Sequence, residues 1–341
     1  MKNYFPGWML LAAASFAATN VIAQQTATSD PNWISLSPYL GFNISARFKH
    51  LGNVSPASQP GPTAGGGVDR TYDDGFVRVD SSGNQGGLTW FWGYNNASQV
   101  QGDTLRMHSG ASASANGALE KGNDPQMGFE LAYGRRLGEV LRGHWGLEAA
   151  FGFTDISIRD NRSLTGTGLL ATDAYSLGGI VPPQAPYSGS FSGPGPLIGD
   201  APTRTAASTS LLVTGKRTLD AQLYGLRLGP YFELPITKRF AARLGAGLAV
   251  AVVSSDFSFN ETAAFASGPS VSRSGSNSNN DILAGGYFSG QLSYAVTERT
   301  SFFAGAQYQY LGKSSQSAAG GAAVLDLSHG IFVTLGVRLS F

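Results

Sequence analysis

The stretch Leu325 to Phe341 reads as one strand with two unlike faces. Leu325, Leu327, Ile331, Val333, Leu335, Val337, Leu339 and Phe341 share one parity. Asp326, Ser328, Gly330, Thr334, Gly336, Arg338 and Ser340 share the other. Side chains alternate faces along a strand, so one face is apolar and the other small and polar. The same alternation recurs within Ile34–Phe48, Met127–Tyr133, Trp145–Phe153, Tyr224–Leu234, Phe240–Val252, Ile282–Tyr294 and Phe302–Tyr310. Period two throughout implies an all-β chain. Beyond residue 23 no window approaches the ~18 apolar residues that a membrane helix needs.

Alternating strands suit a soluble sandwich, with the apolar face inside, or a membrane barrel, with that face toward lipid. Connection lengths favour the barrel. Short links near Leu137–Gly143, Pro235–Lys238 and Val296–Arg299 alternate with long ones at Lys49–Pro125, Asp160–Arg217, Asn260–Asn280 and Gly312–Ala323. Outer-membrane barrels sort short turns to one side and long loops to the other. Charge agrees. Glu130, Glu148, Arg227, Arg243 and Arg338 all fall on the polar parity, and a cation facing mid-bilayer lipid costs about 2–4 kcal/mol. The expected fold is a closed antiparallel transmembrane β-barrel of eight strands. Ten strands result if the Asp-rich hairpin of the first loop or Ser208–Thr214 enters the wall.

The five charged residues are expected to form a polar network that plugs the lumen. Glycines on the same parity leave room for Tyr39, Tyr231 and Tyr287. Only 13% of residues are charged and 46 of 341 are Gly, against about 25% and 7% in ordinary soluble domains. A lipid-facing wall and a narrow lumen account for both. Two aromatic girdles are expected: Trp33, Trp145, Phe240, Phe302 and Phe341 at the short-turn end, and Phe48, Phe153, Phe257, Tyr308 and Tyr310 near the loops. Pro38 and Pro230 fall inside strands, where a bulge or skipped bond is expected.

Lys2, the apolar run Trp8–Ala18 and Val21-Ile22-Ala23 read as a secretory signal peptide over residues 1–23. A periplasmic segment, 24–32, and the barrel, 33–341, follow, with long loops at about 49–125 and 160–217. From Gln24 onward basic and acidic side chains balance, which argues against nucleic acid as a partner. The chain has no Cys, which excludes disulfide scaffolds, thiolate metal sites and Cys nucleophiles.

Phe341, with Leu339, Val337, Leu335 and Val333 at alternate positions before it, resembles the terminal strand of bacterial outer-membrane β-barrels. The resemblance is especially to the small eight-stranded class, such as the OmpA membrane domain. The resemblance implies that Phe341, Leu339 and Val337 form the signal read by the barrel assembly machinery. It also implies periplasmic chaperones, outer-membrane lipid and lipopolysaccharide as partners, and a location in the outer membrane.

The loops offer the candidates for function. Phe76–Asp80 and Leu88–Trp92 read as a hairpin around a Gly-rich turn. Trp90, Phe91 and Trp92 either pack this hairpin onto the barrel mouth or form an aromatic surface for an external ligand, a glycan or a protein. Asp69, Asp73, Asp74, Asp80 and Asn84 carry the oxygens that calcium prefers, but without EF-hand spacing, so no metal and no cofactor is expected. Pro182–Pro196 and Ser272–Asn280 read as mobile surface loops. His50, His108 and His329 can all reach the outer rim, with Asp326 and Ser328 near the last. Ser328 and His329 face opposite sides of one strand, which argues against a dyad. The expected function is a structural or surface-interaction role with no catalysis. The alternatives are a narrow porin-like pore and a rim enzyme acting on lipid or peptide.

Overall fold

A computed structural model describes residues 31–53, 66–112, 118–122 and 125–341. The expected signal peptide and most of segment 24–32 lie outside the described residues. Eight long strands form the wall: β1 (Asn32–Phe42), β2 (Gln126–Val140), β3 (Gly143–Asp160), β4 (Thr203–Pro235), β5 (Phe240–Phe265), β6 (Ser270–Ala295), β7 (Thr300–Tyr310) and β8 (Gly330–Ser340). Each pairs antiparallel with the next, and β8 pairs back with β1. Hydrogen bonding therefore runs round a ring of eight strands. Ser208–Thr214 lengthens β4 and adds no strand to the ring.

The wall has a sharp upper polarity boundary. On β3 to β6, Phe153, Tyr224, Val252 and Ile282 are hydrogen-bonding neighbours across the sheet. They form the last apolar rung on the outer face. One rung further, Asp155, Gln222, Ser254 and Asn280 occupy the same face. Above this level polarity inverts. Ser254, Asp256 and Ser258 point outward while Val253, Phe257 and Phe259 are buried inside. Below it, Leu226, Leu228, Leu248 and Leu292 point outward. From Tyr224 to Leu234 the apolar band is 11 residues tall, close to the ~9–11 residues of a tilted bilayer crossing.

The expected loops 160–217 and 260–280 are largely strand. Ser272–Asn280, read as a surface loop, pairs residue by residue with Ser254–Thr262. Its Ser and Asn side chains conceal the alternation because neither face is strongly apolar there. Phe257 leaves the expected girdle for the interior, since it lies above the boundary on the inward parity. Phe48 is also inside. Asn43 adopts a left-handed conformation (φ 59°), and the chain resumes with its parity exchanged, so Ile44, Ala46 and Phe48 are buried. Leu325 and Leu327 are buried likewise, because the chain breaks between Asp326 and Gly330: Leu325 belongs to a separate strand, and Leu327 directly follows it.

That strand, Gly321–Asp326, lies in a second sheet with Lys313–Ala318, Ser45–Lys49 and Leu119–Gly122. Its buried face shares one apolar core with the inner faces of β3, β4 and β5. Phe48 stacks on Phe257 at 6.0 Å, and Ile44, Leu325 and Leu327 pack with Ile156, Leu219 and Val253.

The two prolines interrupt the ladder without shifting it. Between β1 and β8 the pairing skips from Leu36 to Tyr39 at constant register. Between β4 and β5 it skips from Leu228 to Tyr231. There Gly229 and Gly247 allow close backbone approach, for a Cβ on Gly229 would sit 2.1 Å from the Ala246 carbonyl oxygen.

Candidate functional site

Alternation turns the polar parity of the lower wall inward, and the ring gathers its charges into two clusters. The upper one is centred on Arg227 of β4. Its Nε and Nη2 donate to Glu130 of β2 at 2.8 and 2.6 Å, and its Nη1 donates to Glu148 of β3 at 2.7 Å. The Tyr287 hydroxyl donates to Glu148 at 3.2 Å, and the Tyr287 ring lies 4.8 Å from the guanidinium carbon. A cavity of about 30 Å³ beside Tyr39, Glu130 and Arg227 has room for roughly one water.

The lower cluster joins Arg243 of β5, Arg338 of β8 and Glu233 of β4. Arg243 donates through Nε and Nη2 to Glu233 at 2.8 and 2.5 Å. Arg338 donates to Glu233 at 3.3 Å and to Gln291 at 2.7 Å. All five charged residues singled out in the sequence are buried inside the ring. The structure divides them into two groups and adds Glu233, which shares the parity of Arg227 on the same strand. Trp33 is a correction. Its parity does not place it in the expected girdle: it points inward, lies 4.2 and 4.8 Å under Arg243 and Arg338, and donates to the Tyr231 hydroxyl. Its cross-strand partner Gly134 makes this possible, since a Cβ there would lie 2.2 Å from the indole. Trp145, Phe240, Phe302 and Phe341 face outward as expected.

At the loop end the chain builds a cap. Thr104–Ser112 pairs with Leu164–Ser176, which pairs with the start of β4, so the cap continues the wall. The expected arms Phe76–Asp80 and Leu88–Trp92 meet where Val77 lies opposite Trp92, but the paired strands are Gly75–Val77 and Trp92–Tyr94, and Leu88–Thr89 pairs with Ile198–Gly199 instead. Trp92 is fully buried, donates to the Pro196 carbonyl and packs on Tyr187. Trp90 is half-buried against Gly193 and donates to the Phe191 carbonyl. Phe91 lies between Phe76 and Phe191. The three aromatics therefore do not make one exposed surface: alternation drives Trp92 into the cap core. Below it, Arg204 grips Asp173 through two bonds of 2.6 and 2.7 Å, and the Tyr72 hydroxyl donates to Asp173 at 2.6 Å. The Tyr175 hydroxyl lies 2.6 Å from that of Tyr72. Burial pushes the Tyr175 phenol up to about 12 and raises Tyr72 as well.

The loop carboxylates serve the backbone. Asp69 accepts from Val79 N–H, and Asp73 from Gly110 N–H. Asp74 accepts from His108 N–H and faces the His108 ring at 2.5 Å. Burial opposes charge on Asp80, but the Ser82 hydroxyl and the N–H groups of Asn84, Trp90 and Ser82 outweigh it and hold the carboxyl low. Among the described residues no three His, Asp or Glu converge on a metal position. The rim histidines do not meet either. His108 is in the cap, the His50 carbonyl accepts from Arg273, and His329 shares a 2.7 Å bond with the Tyr308 hydroxyl. Asp326 pairs with Lys313.

Phe341, Leu339 and Val337 project outward from β8, whose end is pinned by Phe341 N–H to the Asn32 carbonyl at 2.9 Å. No family model and no curated protein matches the chain. Among solved structures, Ail, the attachment invasion locus protein of Yersinia pestis, is similar at 10% identity over 91% of this chain and 99% of Ail, with a TM-score of 0.30. The outer membrane protein OprG of Pseudomonas aeruginosa is similar at 9% identity over 92% and 98%, with a TM-score of 0.32. The outer membrane protease OmpT of Escherichia coli is similar at 10% identity over 92% and 98%, with a TM-score of 0.31.

Proposed function

We propose that the protein is an integral β-barrel of a bacterial outer membrane, closed by eight transmembrane strands. Its short turns face the periplasm and its cap faces outward. Its lumen is plugged, and its role is structural or interactive, exercised through the cap. One observation carries this reading: the outer apolar band ends at one rung on four neighbouring strands, and an apolar core fills the interior above that level. A soluble protein gains nothing from an apolar outside, whereas lipid demands it. Outer-membrane lipid and lipopolysaccharide surround the wall. Phe341, Leu339 and Val337 present the assembly signal to periplasmic chaperones and the barrel assembly machinery.

The reading is tested with protein folded in detergent. Heat-modifiable migration on SDS gels and little or no planar-bilayer conductance are expected. A monomer that needs no detergent would overturn the location, and large stable channels would overturn the plug. We also read the protein as non-catalytic, supported by the separation of its rim histidines. His329→Ala and His50→Ala should leave the lipid profile of the host unchanged.

A further inference from the structure

Below the Arg243–Glu233–Arg338 cluster the ring opens between the short turns into a vestibule of about 300 Å³. Arg136, Lys238, Arg239, Arg243, Arg299 and Arg338 line it, against Glu233 and Glu298. Two of the six cations are built into the wall: the side chains of Arg243 and Arg338 are each 5% exposed. A single carboxylate, Glu233, serves both guanidiniums. Arg243 Nη1 and Arg338 Nε have no hydrogen-bond partner among the described residues. Across the two clusters Glu130, Glu148 and Glu233 balance Arg227, Arg243 and Arg338, so the surplus of positive charge at the vestibule comes from the turns, where Lys238 and Arg239 face Glu298. Water can satisfy the two open N–H groups, but it does not offset that surplus.

We propose that this vestibule binds a phosphate group, either inorganic phosphate or the phosphate of a small ester. Guanidinium forks match the oxygens of carboxylate and phosphate. The excess of donors and of positive charge favours the dianion with more oxygens over a monocarboxylate. Trp33 holds both guanidinium planes from one side, with Gly134 beneath its ring. The donors are thereby fixed before any ligand arrives, which lowers the ordering cost of binding. The side to which the site opens rests on the orientation proposed above, but the binding itself does not. Plugging higher in the barrel leaves this end accessible, so the site captures solute without requiring transport.

The test is calorimetric titration of the full chain, folded in nonionic detergent at low ionic strength, with inorganic phosphate. Acetate serves as the comparison anion. Saturable binding that weakens with salt and exceeds that of acetate is expected. Arg243→Gln removes one guanidinium and leaves Glu233 paired with Arg338, and should weaken phosphate binding by about tenfold. Lys238→Gln with Arg239→Gln alters only exposed turn residues. It should weaken binding by about threefold while heat-modifiable migration is retained. Repeating the titration in phosphatidylcholine bilayers with and without phosphatidylglycerol separates the sources. No competition sustains a site for a soluble phosphate dianion; competition assigns the site to the monoanionic diester of a lipid headgroup and overturns the proposal. Absence of saturable binding at millimolar phosphate, or equal affinity in the wild type and both variants, overturns it. Failure of the barrel reading shows separately, in migration and conductance.

Discussion

Arg227 holds two carboxylates in a lumen with almost no free space, so it is the residue on which the upper cluster depends. Arg227→Met strands Glu130 and Glu148 and is expected to cost about 3–5 kcal/mol. The measurement is the urea midpoint in detergent, and adding Glu130→Gln and Glu148→Gln should recover most of the loss. Gly134 acts through space instead of charge. Gly134→Ala drives a Cβ into the Trp33 ring and should lower stability by about 1–3 kcal/mol, read in the same way. Outside the band, Asp160 accepts from the backbone N–H and Nε of Arg162. Burial opposes its charge, but these bonds prevail and hold its pKa below the ordinary 3.8. A depressed carboxylate stabilises above its unfolded pKa and loses that contribution as pH falls through the folded value. Wild type should therefore exceed Asp160→Asn in stability at neutral pH. The gap should close below about pH 3.8, as followed by thermal melting across a pH series.

At the scale of elements, β3, β4, β5 and β6 each perform two tasks in succession. β4 has 33 residues, roughly three times what a bilayer crossing needs. Its lower part is apolar-out and polar-in, and its upper part is the reverse. The change is visible in sequence once the register is known: Leu226 and Tyr224 give way to Gln222 and Asp220 on one parity, while Leu223, Ala221 and Leu219 take over the other. Without the register, such a strand looks as if it ends at the inversion, and its polar half passes for loop. Hydrogen exchange distinguishes the two. Backbone amides of Ser272–Asn280 should be protected, as the β5–β6 ladder requires, whereas free loop amides exchange quickly. β1 and β8 make the same transition differently, by breaking the strand at Asn43 and before Gly330.

For the whole molecule, these elements divide the interior into stacked zones. A cationic vestibule lies under an ion-paired lumen, which lies under an apolar plug, with the cap attached above. On the proposed reading the plug is the seal, because packed apolar side chains leave no path for ions. Phe48→Ala with Phe257→Ala removes a stacked pair from that core. Large-to-small changes there should cost about 3–5 kcal/mol each at most. Small conductance events absent from wild type should appear in planar bilayers. An unchanged, silent bilayer would show that the ion-paired lumen below seals the barrel without help.

Strand type, the lipid-facing parity and the identity of the inward charges are all written in the sequence, because each depends on side-chain alternation within one strand. Leu131, Leu226, Leu248 and Leu335 face outward, and Glu130, Arg227 and Arg338 face inward, for that local reason alone. The tertiary structure decided everything that requires comparing strands. It set the common rung at which polarity inverts, and the left-handed turn that moves Phe48 from girdle to core. It turned Trp33 into the lumen and made Glu233 the shared partner of two arginines. Ring closure joins Asn32 to Phe341 at opposite ends of the described chain, the lumen joins Trp33 to Tyr231 across 198 positions, and no periodicity within a single segment encodes such pairings.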